Sequence, residues 1–216
     1  MDKNKRFVIT INRELGSGGR TVGEKLAKRL GVAFYDKAII KALEEKYHLT
    51  VRELEKLKGQ KKNWWSDFMR VVSVGNAFVI EPYYETPLSK DKEFPTTEEI
   101  FRTEREILRD IAEQESCVIT GRCAFRVLGD FPNHLSILIH APMEQRIQRV
   151  MRKKGLSREK VEKIIDQVDK MRENYVTHYT GTSRYDARNY DIVLSMEGLT
   201  EDDAVDVIME YIAKSE

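Results

Sequence analysis

Residues 16–21 read GSGGRT, and these residue types could bind phosphate. The four small residues at 16–19 would let successive backbone N–H groups approach an anion, and the positive end of a following helix would add to the attraction. Arg20 would supply a cation, and the hydroxyl of Thr21 would bind Mg²⁺ or a phosphate oxygen. The predicted phosphate-binding site is Gly16, Ser17, Gly18, Gly19, Arg20 and Thr21.

This stretch matches the phosphate-loop pattern G-x-x-x-x-G-K-[ST] only in part. If Gly19 is the second glycine, Glu14 and Arg20 stand where the first glycine and the lysine belong. The dinucleotide pattern G-x-G-x-x-G fits less well, because Thr21 takes the place of its third glycine. The loop by itself leaves a second interpretation open, a glycine-rich turn that only reverses the chain.

A basic segment later in the chain favours the phosphate interpretation. From Arg146 to Arg172 there are ten Lys or Arg residues and four Asp or Glu residues, which is a net charge of +6. Arg146 and Arg149 are three residues apart and share a helical face. Two helices joined at Gly155 would form a basic hairpin, and arginines on such a lid neutralise charge during phosphoryl transfer. The alternative is a solvated charged face.

The elements that position these residues alternate along the chain. This alternation predicts a parallel sheet with helices on both faces. Short apolar runs predict strands at 6–11, 32–35, 117–120, 135–140 and 191–195. Helical spacing of apolar residues, with Gly31 as a cap after the first, predicts helices at 21–30, 97–114, 143–154, 157–178 and 200–214.

Residues 58–97 interrupt this rhythm. Trp64 and Trp65 precede an apolar stretch at 71–80 and a loop rich in proline and charge. We expect an insertion whose aromatic residues form a core or the interface of a homodimer, rather than contacting a ligand. Before the insertion, Asp36 is a plausible N-cap of a further helix.

The composition restricts the class of protein. The 216 residues include 37 Lys or Arg and 36 Asp or Glu, so no global field would attract nucleic acid or a membrane. The first residues are too polar for a signal peptide, and no segment approaches a membrane span. Cys117 and Cys123 fit a reducing compartment, as two buried thiols. We therefore expect a cytoplasmic protein that binds neither nucleic acid nor membrane.

Four segments resemble the cytidylate kinase-like family, which is related to the nucleoside monophosphate kinases. Residues 9–20, ITINRELGSGGR, resemble the family's first strand and phosphate loop, including the arginine in place of lysine. Residues 31–40, GVAFYDKAII, resemble the segment after the first helix, and residues 117–128, CVITGRCAFRVL, resemble the third strand. The region 146–191, with DKMRENY at 169–175 and NYDIVLS at 189–195, resembles the lid and the last strand.

The resemblance implies the P-loop NTPase fold, a three-layer α/β/α arrangement with a five-stranded parallel sheet. One domain would span 1–216, with 58–97 as an inserted helical acceptor region and 146–180 as an arginine-rich helical lid. ATP with Mg²⁺ would be the phosphoryl donor. A small phosphorylated molecule such as CMP would be the acceptor.

The resemblance also assigns roles to individual residues. The donor phosphates would lie on the loop, with Thr21 toward the metal, and Asp36 and Arg122 would face the acceptor. The catalytic arginines would be Arg20, Arg122, Arg146, Arg149 and Arg172. Cys123 and Phe125 stand where members of the family often have acidic residues. Besides a kinase for nucleoside monophosphates, we therefore consider a kinase for a non-nucleotide acceptor and a nucleotide-binding regulatory protein without turnover.

Overall fold

A computed structural model describes residues 1–36 and 97–215. In this part of the chain five strands form a single parallel sheet in the order β2-β3-β1-β4-β5. The strands are β1 (Val8–Arg13), β2 (Ala33–Tyr35), β3 (Cys117–Thr120), β4 (His134–His140) and β5 (Ile192–Ser195). The predicted five-stranded parallel sheet is confirmed.

The central strand β1 explains the first apolar run of the sequence. It pairs with β3 on one edge and with β4 on the other, so that Ile9 lies opposite both Val118 and Leu135. Residues 8–11 are almost completely buried. A strand that is bonded on both edges and covered on both faces requires a continuous buried run rather than an alternating one.

Six helices and one short 3₁₀ segment accompany the sheet in the described residues. The helices are α1 (Gly19–Leu30), α2 (Thr97–Gln114), α3 (Ala124–Val127), α4 (Met143–Lys154), α5 (Arg158–Thr180) and α6 (Glu201–Lys214). The 3₁₀ segment is Ala187–Asn189.

The helices cover both faces of the sheet, which gives the expected three layers. On one face α1 and α6 pack Leu26 and Ile208 against Ile137 of β4. On the other face α2 and α3, together with the end of α5, pack around Ile119 of β3. A smaller apolar cluster, centred on Val161, joins α4 to α5. Burial of these apolar side chains is the main stabilising contribution in such a fold.

The parallel topology brings several predicted residues to one edge. The carboxyl ends of β1, β2 and β3 lie side by side in the sheet. The glycine loop follows β1, Asp36 follows β2, and Arg122 follows β3 after one glycine. Ligands of open α/β sheets bind outside the carboxyl ends of the strands.

Most predicted elements are confirmed within two residues at each end. The cap at Gly31 is confirmed, since its N–H donates to the carbonyls of Ala27 and Lys28. The four residues of α3 were not predicted, because so short a helix has no periodicity to detect. Residues 58–96 lie outside the described residues, as do Trp64, Trp65 and 71–80, so the insertion and the homodimer remain predictions.

Among the helices of residues 1–36 and 97–215, none has an apolar stretch of the length that a bilayer requires.

Candidate active site

The glycine loop connects β1 to α1 with two residues in the left-handed region. Gly16 has φ of +84° and Gly18 has φ of +90°. The buried Ser17 hydroxyl donates to the carbonyl of Glu14 at 3.0 Å and accepts from the N–H of Gly19 at 3.4 Å, which closes the turn. Within the described residues, no acceptor is in hydrogen-bonding geometry for the N–H of Gly16 or of Gly18. Both N–H groups are therefore available as hydrogen-bond donors.

Two glycines of the loop also allow α4 to approach closely. A Cβ at Gly16 would lie 2.8 Å from the carbonyl oxygen of Arg146, and a Cβ at Gly18 would lie 2.8 Å from Nη2 of Arg149. Glu14 contributes to the same contact, because its carboxylate accepts from the N–H of Ala141 at 3.2 Å and lies 3.3 Å from Arg146 Nη1. The acidic residue in place of the usual first glycine thus joins the loop to the start of α4.

The substitution Gly16→Ala tests this close approach. We expect it to lower the free energy of unfolding by about 2 kcal/mol, because it adds a left-handed φ penalty and a contact with fixed backbone. Urea unfolding measures the loss. Gly31→Ala is the matched control, since Gly31 has φ of +68° and open space around its Cβ position. Equal losses for the two variants would contradict the tight contact with α4.

Asp36 connects three elements at the carboxyl edge of the sheet. One carboxylate oxygen, Oδ2, accepts from Arg20 Nε at 2.6 Å. The other, Oδ1, accepts from Arg13 Nη2 at 3.1 Å and from the Thr120 hydroxyl at 3.0 Å. Burial alone would raise the pKa of Asp36, but Arg13, Arg20 and Thr120 together hold it below its ordinary value. This carboxylate is therefore ionised at neutral pH.

Arg122 follows β3 in a strained conformation, with φ of +61°, and Cys123 after it has φ of +53°. Its Nη1 lies 3.3 Å from the carboxylate of Glu104 on α2. Glu104 is fully buried and also accepts a hydrogen bond from the Tyr175 hydroxyl of α5. Burial raises the pKa of Glu104, and Arg122 and Tyr175 oppose this rise. Arg122 is thus paired with a carboxylate of α2 that is itself held by a hydroxyl of α5.

Of the three predicted arginines of the basic hairpin, Arg149 lies against the glycine loop and Arg172 against the end of β1. Arg149 lies over Gly18 and forms an ion pair with Glu201 at the start of α6. Arg172 donates from Nη1 to the carbonyl of Arg13 at 3.0 Å. Burial, together with the charges of Arg13 and Arg184, lowers the pKa of Arg172 to about 9, so it remains a cation at neutral pH.

Arg146 occupies a different position. Its guanidinium is buried behind the loop and forms an ion pair with Asp169. Among the described residues that line the cavity beside the loop, Arg146 is absent, whereas Arg149 and Arg172 are present. A direct contact between Arg146 and a ligand in that cavity is not supported by this placement.

A cavity of about 430 Å³ opens beside the glycine loop. Its described lining has an aromatic part, formed by Phe125, Tyr175 and Tyr179. Its charged part is strongly basic, with seven Lys or Arg side chains against two acidic ones. These are Arg13, Arg20, Arg122, Arg149, Lys153, Lys154 and Arg172 against Glu14 and Asp36.

The residues present fit the phosphates of a nucleotide. Four of the basic side chains already pair with carboxylates, namely Arg13 and Arg20 with Asp36, Arg122 with Glu104 and Arg149 with Glu201. The lining nevertheless keeps an excess of basic groups, which a bound anion would stabilise. Arg172 Nε is buried and has no hydrogen-bond acceptor among the described residues. The same part of the chain contains no cluster of three His, Cys, Asp or Glu residues suited to a metal ion. A Mg²⁺ ion would therefore need phosphate oxygens besides the hydroxyl of Thr21, which lines the cavity.

The structure thus brings most of the predicted residues to one cavity. Ser17 is buried within the loop and Arg146 lies behind it, whereas the other predicted residues line the cavity. Sequence reasoning did not identify four charged residues that organise the site: Arg13, Glu104, Asp169 and Arg184. One of them carried a signal, because Glu104 shares a helical face with the buried Ile107 and Leu108.

Comparison with known proteins decides the family. The sequence profile of the cytidylate kinase-like family matches residues 8–198. The chain belongs to this family. The match includes the loop, Asp36, Arg122 and the basic hairpin, so the resemblance noted in the sequence is confirmed.

Solved structures extend the comparison. The chain is similar to an uncharacterised protein from Eubacterium ventriosum, with 27% identity, coverage of 96% of this chain and 98% of that chain, and a TM-score of 0.66. It is similar to shikimate kinase from Bacteroides thetaiotaomicron, with 17% identity, coverage of 96% and 98%, and a TM-score of 0.54. At 17% identity the likeness to shikimate kinase concerns the fold alone, which is the P-loop kinase fold.

One curated protein matches part of this cytidylate kinase-like chain, and its description does not name a kinase. A protein described as uronate isomerase from Corynebacterium glutamicum is 31% identical over 112 residues, which are 51% of this chain and 22% of that protein. The match thus spans about a fifth of that relative's length. Membership of a kinase-like family and the P-loop kinase fold are the two findings from these comparisons on which the function proposed below is based.

Proposed function

We propose that this cytidylate kinase-like protein transfers a phosphoryl group from ATP to a small phosphorylated acceptor, with a nucleoside monophosphate such as CMP as the first candidate. Within the structure, the proposal rests on one observation, which is that the glycine loop and seven basic side chains line the same cavity. Phosphoryl transfer depends mainly on positioning and on stabilising negative charge, and these residues can provide both.

Each side of the cavity has a role in this proposal. The N–H groups of Gly16 and Gly18, together with Arg20, bind and orient the donor phosphates. ATP supplies the phosphoryl group, with Mg²⁺ held by its phosphates and by Thr21. Asp36 and Arg122 face the acceptor from the ends of β2 and β3.

The basic hairpin completes the proposed site. Arg149 and Arg172 enter the cavity from α4 and α5 and stabilise charge on the group in transfer. Arg146 acts on the loop rather than on the phosphates, since its guanidinium is bonded to Leu15 and Asp169. The aromatic part of the lining excludes water from the acceptor side.

One observation favours a second candidate, nucleotide binding without turnover. Asp36 already accepts hydrogen bonds from Arg13, Arg20 and Thr120. Cys123 also lines the cavity, and its thiol has a pKa raised well above the ordinary value by burial. Glu14 and Asp36 are the acidic side chains in the described lining, and both are already paired with arginines, so neither is free to orient Mg²⁺ for turnover.

An ATP-consumption assay over nucleoside monophosphates and small alcohols separates these functions. Small alcohols belong in the panel because the fold is shared with shikimate kinase. Formation of ADP with CMP or another monophosphate supports the proposal, and formation only with an alcohol supports a non-nucleotide acceptor. ATP binding without ADP formation for any acceptor supports the regulatory protein. Absence of ATP binding would contradict all three.

Arg20→Ala tests the donor side directly. We expect the dissociation constant of ATP to rise about ten- to a hundredfold, because a charge-assisted hydrogen bond to phosphate is lost. Isothermal titration calorimetry measures the change. Arg29→Ala on the same helix is the control, since Arg29 is exposed and forms an ion pair with Asp206. An unchanged ATP affinity in Arg20→Ala would remove Arg20 from the donor site.

A further inference from the structure

Asp169 of α5 lies at the centre of a buried network behind the glycine loop. Its side chain is largely buried, and Oδ1 accepts from the backbone N–H of Leu15 at 3.0 Å. Oδ2 accepts from Arg146 Nη2. Two further guanidinium groups are close to Oδ1, Arg172 at 3.6 Å and Arg184 at 3.7 Å. One carboxylate therefore faces three arginines and a loop amide.

The same arginines bind the backbone that leads into the loop. The carbonyl of Arg13 accepts from Arg172 at 3.0 Å and also from Arg184 Nη2. The carbonyl of Leu15 accepts from Arg146 Nε at 2.8 Å. The polar backbone groups at 13 and 15 are thus bonded to side chains from α4, α5 and the segment after α5. This part of the loop is held from outside rather than by its own hydrogen bonds.

Stability alone does not account for such a network. Burying several charges costs several kcal/mol per ion, and well-packed apolar residues of similar volume often stabilise a protein equally well. Arg184 is fully buried, and its Nε and Nη1 have no hydrogen-bond acceptor among the described residues. A network with unsatisfied donors is costly, and its placement against the loop backbone indicates a role in shaping the loop.

We propose that Asp169 is a positioning residue that presets the glycine loop for the donor phosphates. The proposal rests on the proposed function, because it assumes that the loop binds ATP. Asp169 fixes the N–H of Leu15 directly, and it fixes the carbonyls of Arg13 and Leu15 through the arginines that it neutralises. The inner ends of α4 and α5 are therefore a scaffold of the loop, and they hold Arg149 and Arg172 in register with it. Preorganisation of this kind lowers the cost of binding.

The test compares Asp169→Asn with Asp166→Asn, which lies three residues earlier on the same helix and is exposed. Asparagine keeps the size of the side chain but removes the charge that the three arginines share. We expect faster amide hydrogen exchange in residues 12–22 of Asp169→Asn and unchanged exchange in α6. We also expect the dissociation constant of ATP to rise about tenfold, because small displacements at such sites are costly. Asp166→Asn should match the wild type in both measurements.

A third variant separates positioning from general loss of stability. Ile208→Val removes a methylene from the α1–α6 side of the core and should lower stability without changing the exchange of residues 12–22. If Ile208→Val changes ATP affinity as much as Asp169→Asn does, the effect is structural and the proposal is wrong. Unchanged exchange in residues 12–22 of Asp169→Asn would also overturn it. If the wild type does not bind ATP, the proposed function fails, and the exchange measurement still decides the positioning role.

Discussion

Replacing Arg172 with alanine will lower the rate of phosphoryl transfer by about 10³-fold, the magnitude expected when an arginine that stabilises the transferring group is removed. Arg172 lines the cavity and is held at the carbonyl of Arg13, so its position is fixed before any ligand binds. Its lowered pKa of about 9 reflects the cost of burying its charge. A bound anion would relieve that cost most strongly when its own charge is greatest.

Steady-state kinetics with ATP and the preferred acceptor of the panel measures the loss. Arg158→Ala is the matched control on the same helix, because Arg158 is half exposed and pairs only on the surface with Glu144 and Glu162 in the described part of the chain. Arg172→Lys should retain part of the rate, since lysine keeps the charge but not the planar fork. A kcat for Arg172→Ala within threefold of the wild type would exclude Arg172 from catalysis.

Replacing Glu104 with alanine will lower the free energy of unfolding by about 3–5 kcal/mol, the usual cost of removing one partner of a buried ion pair. The change leaves the Arg122 guanidinium, which is itself almost fully buried, without the carboxylate 3.3 Å away. It also removes the acceptor of the Tyr175 hydroxyl. Both consequences add to the cavity left by the missing side chain.

Chemical denaturation measures this loss. Glu104→Gln should cost less than Glu104→Ala, because glutamine still accepts from Tyr175 and fills most of the space. Glu159→Ala is the control for losing a glutamate from a helix surface, since its pair with Lys163 is exposed and worth only a few tenths of a kcal/mol. Equal effects of Glu104→Ala and Glu159→Ala would mean that the buried pair does not stabilise the fold.

The local parts of the site could be predicted from the sequence. The loop at 16–21 has a buried strand before it and a periodic helix after it, and all three features lie within 25 residues. Asp36 and Arg122 were assigned to the site by the family resemblance, and the parallel alternation of strands and helices explains why both lie at the same edge. Local spacing and topology therefore predicted the fold and the phosphate end of the cavity.

The roles of individual arginines could not be predicted in the same way. Arg146 and Arg149 share a helical face and have the same charge, but only Arg146 meets Asp169, which lies 23 residues later on another helix. Helix packing decides that Arg146 pairs with Asp169 behind the loop, whereas Arg149 pairs with Glu201 and lines the cavity. Glu104 was detectable as a charged residue on an apolar face, but nothing nearby in sequence indicated Arg122 as its partner.

The three hydrogen bonds of Asp36 have a consequence for adaptation to new substrates. Its strand, β2, has only three residues and lies at the edge of the sheet, and Asp36 ties its end to Arg13 of β1, Thr120 of β3 and Arg20 of α1. Under the proposed function Asp36 faces the acceptor, and a substitution there that changes acceptor preference will also loosen this edge. On the same proposal, divergence of specificity in this family should proceed more easily through the aromatic lining than through this carboxylate.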